Sequence, residues 1–159
     1  MANFKTNAMR ILDTAKIKYT VHTYESDGDF DGVHVAAKLG VNENQVFKTL
    51  ITKGCGRDYF VFVIPVVCEL DLKSAARAVG EKAVEMIAVK DINKVSGYIR
   101  GGCSPIGMKK QFKTVINSSA KEFETIFFSA GKIGYQVEVS LQELQKVLRF
   151  ELFNIICEA

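Results

Sequence analysis

The run YFVFVIPVV at 59–67 constrains the fold of this chain more than any other stretch. It is rich in β-branched and aromatic residues, and its apolar side chains occupy consecutive positions instead of alternating with polar ones. A strand that shows one face to water alternates; one that does not belongs at the centre of a sheet, buried on both faces. Just upstream, VFKTLIT at 46–52 is a second β-rich run, and the KGCGRD that joins the two is a loop of hairpin type.

The remaining elements surround that hairpin. Asn7 is placed to cap a first helix carrying Met9, Ile11, Leu12 and Ala15, and the alternating YTVHTY at 19–24 follows as a strand. The acidic, turn-rich ESDGDFDG at 25–32 leads into a short helix, VHVAAKLG, that stops at Gly40. Asp71 caps LKSAARAV, which ends at Gly80; VEMI and VKDINKVSG read as a strand and a short helix. TVI, TIFFS and YQVEVS are three more strands, and Ser140 with Glu143 forms a capping box for a last helix bearing Leu141, Leu144, Val147 and Leu148. Strands and helices mix without a βαβ rhythm or internal repeat, so the class is mixed α/β with a largely non-parallel or mixed sheet.

At 159 residues the chain has the length of one domain, 1–159, able to bury a core without disulfides or a structural metal. Apolar residues make up 48% and charged residues 25%, a globular balance that argues against long disordered segments. The net charge of +3 is compatible with a polyanionic partner without announcing one. No stretch reaches the length of a membrane span, and the first residues lack the apolar core and cleavage site of a secretory leader, so a cytoplasmic protein with no membrane partner is expected. The cysteines at 55, 68, 103 and 157 match no paired zinc-ligand spacing and read as reduced thiols; no metal or cofactor is expected.

Few residues offer chemistry. His22 and His34 lack a serine elbow or a cysteine context and read as structural or surface residues. Asp27, Asp29 and Asp31 fall in a turn, without the rest of a calcium-loop pattern. The loop GGCSPIG at 101–107 is more specific. Its glycines let backbone amides approach a carbonyl oxygen or phosphate, although the same residues also suit a tight turn. Lys48 lies inside the strand-like VFKTL, between apolar neighbours. It is either a charge that blunts an exposed sheet edge or one that awaits an anion.

Taken together, HTYE at 22–25, QVFKTL at 45–50, LDLKSAARAVGEKAVEM at 70–86, GYIRGGCSPIGMKK at 97–110 and FSAGKIG at 128–134 closely resemble the YbaK/EbsC family of bacterial aminoacyl-tRNA deacylases. The Cys-tRNA(Pro) deacylase branch is the nearest, and the editing domain inserted in bacterial prolyl-tRNA synthetases is related. The resemblance spans about residues 5–155 and implies a barrel-like central sheet ringed by short helices. It also implies a free-standing enzyme that hydrolyses cysteine from proline tRNA, and cysteine from its own tRNA as an extension. Lys48 matches the essential lysine of the family. Tyr24, Phe30, Thr49 and the wall Gly101, Gly102, Cys103, Ser104 and Pro105 match substrate-pocket positions, whereas Gln136 stands where the family carries Asp.

The implied chemistry needs no metal and no protein nucleophile. An aminoacyl ester is already activated, so positioning and oxyanion stabilisation suffice, and a cysteinyl substrate supplies its own thiol. Proline and cysteine are close in size, which a single synthetic pocket discriminates poorly. The implied partners are mischarged tRNA and prolyl-tRNA synthetase. Two other readings stay open at this level: a deacylase for Ala-tRNA(Pro) or another small aminoacyl-tRNA, and a non-catalytic module that binds a tRNA terminus or a synthetase, to which Lys109, Lys110 and Lys132 would contribute.

Overall fold

Strand β3 (Tyr59–Pro65) is the middle of a five-stranded mixed sheet. The structure, a computed structural model, describes residues 5–25 and 31–157. On one side of β3 lies β2 (Phe47–Gly54), antiparallel, and beyond it β4 (Val84–Met86). On the other side β5 (Lys113–Asn117) runs parallel to β3, and β8 (Phe150–Phe153) runs parallel to β5. The unbroken apolar run has its cause here. Val61 and Val63 enter one core with Phe47 and Ile116, while Phe60, Phe62 and Ile64 enter a second beneath Ala75, Ala76 and Val79 of helix α3 (Leu72–Val79). A polar side chain on either face of β3 would have to be desolvated.

The first core is closed by a second, antiparallel sheet in which β7 (Tyr135–Val139) lies between β1 (Tyr19–Thr23) and β6 (Ile126–Ser129). Ile126, Phe128, Val137 and Val139 pack there with Ala8, Met9 and Leu12 of α1 (Asn7–Thr14). The two sheets meet at one parallel bridge, Val46 to Phe127. The expected barrel-like sheet therefore does not close among the described residues. The strands divide into two sheets because β2 leaves its bridge to β6 after Val46 and is taken up by β4 only from Thr52.

Helix boundaries follow the caps, with two corrections. Asp71 accepts from the Lys73 N–H (3.1 Å) and the Ser74 hydroxyl (2.9 Å), and α3 and α2 (Gly32–Leu39) stop at Gly80 and Gly40 as expected. Thr6, not Asn7, caps α1: its hydroxyl accepts from the Met9 N–H (3.1 Å) and donates to the Ala130 carbonyl (2.5 Å). Asn7 instead donates from its amide to the Gly107 carbonyl (3.2 Å), which ties α1 to the glycine-rich loop.

The last helix, α5 (Leu141–Leu144), is a single turn, with Val147 and Leu148 beyond it. Ser140 caps it by accepting from the Glu143 N–H (3.1 Å). The Glu143 carboxylate does not complete the box; it accepts from the Lys18 N–H (2.9 Å) and the Lys146 ammonium (2.7 Å). The chain is thereby free to turn and enter β8, a strand the sequence pattern does not announce.

Candidate functional site

The gap between the two sheets makes the site. Val66 donates its N–H to the Val46 carbonyl (2.8 Å), and the register pairs Lys48 with Ile64 and Leu50 with Phe62. In an antiparallel ladder this alternation directs the even-numbered peptides of β2 toward β3 and the odd-numbered ones away from it. The N–H and C=O of Thr49 thus face the side that β4, which pairs only over Thr52–Gly54, does not cover. Along this uncovered edge runs a cleft of about 710 Å³.

One wall of the cleft is the strand edge, with Lys48, Thr49, Leu50 and Ile51. A second, apolar wall comes from Met86, Ile87, Val89 and Ile92, the last on α4 (Ile92–Ser96), and a third from Arg100, Gly101 and Cys103. At its inner end the cleft shares Lys48, Thr49, Gly101 and Cys103 with a chamber of about 90 Å³, which Tyr24, Val35, Ser129 and Gln136 complete. Lys48 stands where the two spaces join.

Lys48 is half-buried, and among the described residues no carboxylate pairs with it and no acceptor bonds it. Its charge is nonetheless felt inside the protein: burial pushes the Cys68 thiol up, and Lys48 pulls it the other way. The lysine does sit on an open stretch of strand edge, as the edge-guarding reading requires. That edge borders a cleft rather than free surface.

Two buried oxygens lack hydrogen-bond partners among the described residues, Thr49 Oγ1 and Gln136 Oε1, and both residues line the inner chamber. Buried polar atoms are rarely left this way, so each of the two calls for a partner or a role. Tyr24 is held by its N–H, which donates to the Gly134 carbonyl (3.0 Å), and Lys38 lies over its ring at 6.0 Å.

The glycine-rich loop is built by docking one turn on another. Gly101 has φ +87°, the left-handed region that favours glycine. A side chain at Gly102 would stand 3.2 Å from the Ile133 nitrogen and 3.3 Å from Lys132 Cα, so the loop lies directly on the backbone of the SAGKIG turn. Beneath both turns Tyr98 is buried, its hydroxyl donating to the Ile106 carbonyl (2.5 Å), and burial raises its pKa to about 12.

Cys103 lines both cavities, yet burial pushes its thiol up to about 11, against a partial opposing effect of a hydrogen bond with Ser96. It is a thiol at neutral pH and a poor nucleophile.

Of the residues singled out from the sequence, Lys48, Tyr24, Thr49, Gly101, Cys103 and Gln136 are brought together around these cavities. Gly102, Ser104 and Pro105 are not on the lining; all three are buried on the inner side of the loop they belong to, and the Ser104 hydroxyl accepts from the Ile106 N–H (3.3 Å). Phe30 lies outside the described residues. His22 bonds Glu138 at 2.8 Å and His34 is exposed on α2, and neither is on the lining. Arg100 and the apolar wall from Met86 to Ile92 went unnoticed in the sequence. Their only signal there is exposure of large apolar residues, which a sequence does not display.

Comparison with known proteins decides the family. A family model described as "Aminoacyl-tRNA editing domain" matches residues 31–147. The chain belongs to this family. A relative in Enterococcus faecalis, named "Putative Cys-tRNA(Pro)/Cys-tRNA(Cys) deacylase EbsC", is 46% identical to this editing domain over 137 residues, covering 86% of the chain and 84% of the relative. Among solved structures, the hypothetical protein APE2540 superposes with a TM-score of 0.87 at 18% identity, covering 96% of this chain and all of the other. A "putative trans-editing enzyme for prolyl tRNA synthetase" superposes with a TM-score of 0.83 at 17% identity, covering 98% of this chain and all of the other. At such identities the two structures speak for the fold alone.

Proposed function

We propose that this editing domain acts in trans as a hydrolase that deacylates cysteine mischarged on proline tRNA, and cysteine on its own tRNA by the same chemistry. The observation that carries the reading is Lys48, a cation without a carboxylate partner among the described residues, at the junction of a large cleft and a small chamber. The outer cleft suits the terminal nucleotide, its base against Met86, Val89 and Ile92 and its phosphate near Arg100 and Lys48. The inner chamber, about three water volumes by the liquid measure, suits a side chain no larger than cysteine or alanine. The orphaned oxygens of Thr49 and Gln136 are acceptors for the substrate's ammonium group.

The ester is positioned so that its carbonyl oxygen meets the uncovered peptide N–H of the β2 edge or of the Gly101 turn, with the Lys48 charge close by. The substrate thiol gives up its proton and its sulfur bonds to the carbonyl carbon. The bond to the ribose oxygen breaks, that oxygen takes a proton, and free tRNA leaves. Water then opens the resulting cysteine thiolactone. Gln136 is neutral where the family carries an acid, so no carboxylate is asked to act as base there.

The chain works as one domain in the cytoplasm, with prolyl-tRNA synthetase as the partner that selects the tRNA body. Purified protein should release cysteine from Cys-tRNA(Pro), and Lys48→Ala should not. Wild-type protein that leaves Cys-tRNA(Pro) intact, with or without the synthetase, would refute the assignment.

A further inference from the structure

A second groove, about 540 Å³, abuts the C-terminal part of α4. Ile92 of that helix lines the cleft, whereas Lys94 and Val95, up to one turn further on, line the groove, so this short helix divides the two spaces. The remaining lining comes from Arg57 and Asp58 of the β2–β3 hairpin, from Tyr59 and Phe60 of β3, and from residues 110–113, which lead into β5.

The charge is one-sided. Arg57, Lys94, Lys110 and Lys113 face a single carboxylate in the lining, Asp58. Lys113 is engaged by Glu151 at 3.7 Å; among the described residues Arg57, Lys94 and Lys110 have no carboxylate partner. The floor is partly aromatic, with the Tyr59 and Phe112 rings meeting edge-on at 5.6 Å. The glycine-rich segment links this groove to the cleft, from Gly101 at one end to Lys110 at the other. Next to Lys110, Lys109 is seated on Gly97, its Cγ 3.2 Å from where a side chain there would begin, and donates to the Lys94 carbonyl (3.4 Å).

We infer that this groove binds the sugar–phosphate backbone of the tRNA body while the aminoacylated terminus occupies the cleft. Clustered, exposed cations lacking carboxylate partners among the described residues match a polyphosphate chain, which a protein meets mainly by displacing condensed counterions. The path over α4 is short enough for one continuous RNA to reach both. The inference rests on the deacylase reading for the terminus but not for the groove itself, which predicts RNA affinity whether or not an ester is cleaved.

The test compares wild type with the triple variant Arg57→Ala/Lys94→Ala/Lys110→Ala, none of which lines the cleft. Two substrates are used: full-length Cys-tRNA(Pro) and a cysteinylated CCA trinucleotide with no tRNA body. For full-length substrate KM should rise roughly tenfold with kcat nearly unchanged, and the slope of log affinity for uncharged tRNA against log salt should fall by about three. On the trinucleotide the variant should equal wild type, which also shows that it is folded. Equal KM and equal salt slopes on full-length tRNA would overturn the inference, and so would an equal loss on both substrates, which would place the defect in the cleft. A wild type that cleaves neither substrate, yet loses its salt-dependent tRNA affinity in the variant, would sustain the groove and sink the deacylase reading alone.

Discussion

Thr49 on β2 and Gln136 on β7, one from each sheet, line the same small chamber, and each keeps a buried oxygen without a hydrogen-bond partner among the described residues. An unsatisfied buried oxygen costs about 1–3 kcal/mol. Thr49→Val and Gln136→Leu should therefore raise stability, or leave it unchanged, while lowering single-turnover deacylation by roughly ten- to a hundredfold. Denaturant midpoints set beside single-turnover rates measure this opposition. Variants that lose stability in proportion to activity would mean that the two oxygens serve the fold.

Lys48 lies next to apolar neighbours and has no carboxylate partner among the described residues, so its removal takes away charge without opening a core cavity. Lys48→Ala should keep the thermal midpoint within a few degrees and lose at least about a hundredfold in rate. Lys48→Arg should also fail, because a planar fork does not replace a compact ammonium at the neck of a small chamber. Near-normal turnover in either variant would leave Lys48 only the task of guarding an open strand edge.

Much of this was legible in the residues themselves. The uninterrupted apolar run of β3 announced a strand between two cores, and Asp71, Gly40, Gly80 and Ser140 marked helix ends that the fold keeps. Asn7 is intrinsically the better cap than the adjacent Thr6, and tertiary contacts reverse that order: Thr6 bonds the Ala130 carbonyl and Asn7 the Gly107 carbonyl. Strand β8 was hidden because its pairing to β5 is parallel and distant in sequence, and it follows a helical signal that stops after one turn. Lys48 stood out as a charge in an apolar run. Arg100 and the wall from Met86 to Ile92 did not, because a gap between two sheets brings them to the site and no local pattern records that gap.

Gly102 meets the backbone of the turn at Lys132 and Ile133 at 3.2–3.3 Å from where a side chain would start. Gly102→Ala should push the two loops apart, costing about 1–3 kcal/mol of stability and a larger fraction of activity, since the displaced loop also carries Gly101 and Cys103. Thermal denaturation and steady-state kinetics on the same preparation resolve the two effects. An alanine that leaves both unchanged would show that the loops are not held in contact in solution.

Cys103 ionises near 9.0 when unfolded and near 11 in the folded protein, because burial disfavours its thiolate. The native state then holds a proton that the unfolded state has lost, so stability should fall as pH rises from about 9 to about 11. Cys103→Ala should flatten part of this alkaline decline while keeping most of the deacylation rate at neutral pH. Urea titrations at pH 8, 9, 10 and 11 give the slope. A rate lost in Cys103→Ala, with an acyl group trapped on the wild-type protein, would make Cys103 the nucleophile.

The central claim is that the substrate brings the nucleophile and the protein brings placement and charge. Single-turnover deacylation of Cys-tRNA(Pro) against Ser-tRNA(Pro), the same ester with oxygen in place of sulfur, tests it most directly. The account predicts cysteine faster by about a hundredfold or more, because a hydroxyl is a far weaker nucleophile than a thiol at neutral pH. Equal rates for the two would contradict it and require a nucleophile from water or from the protein.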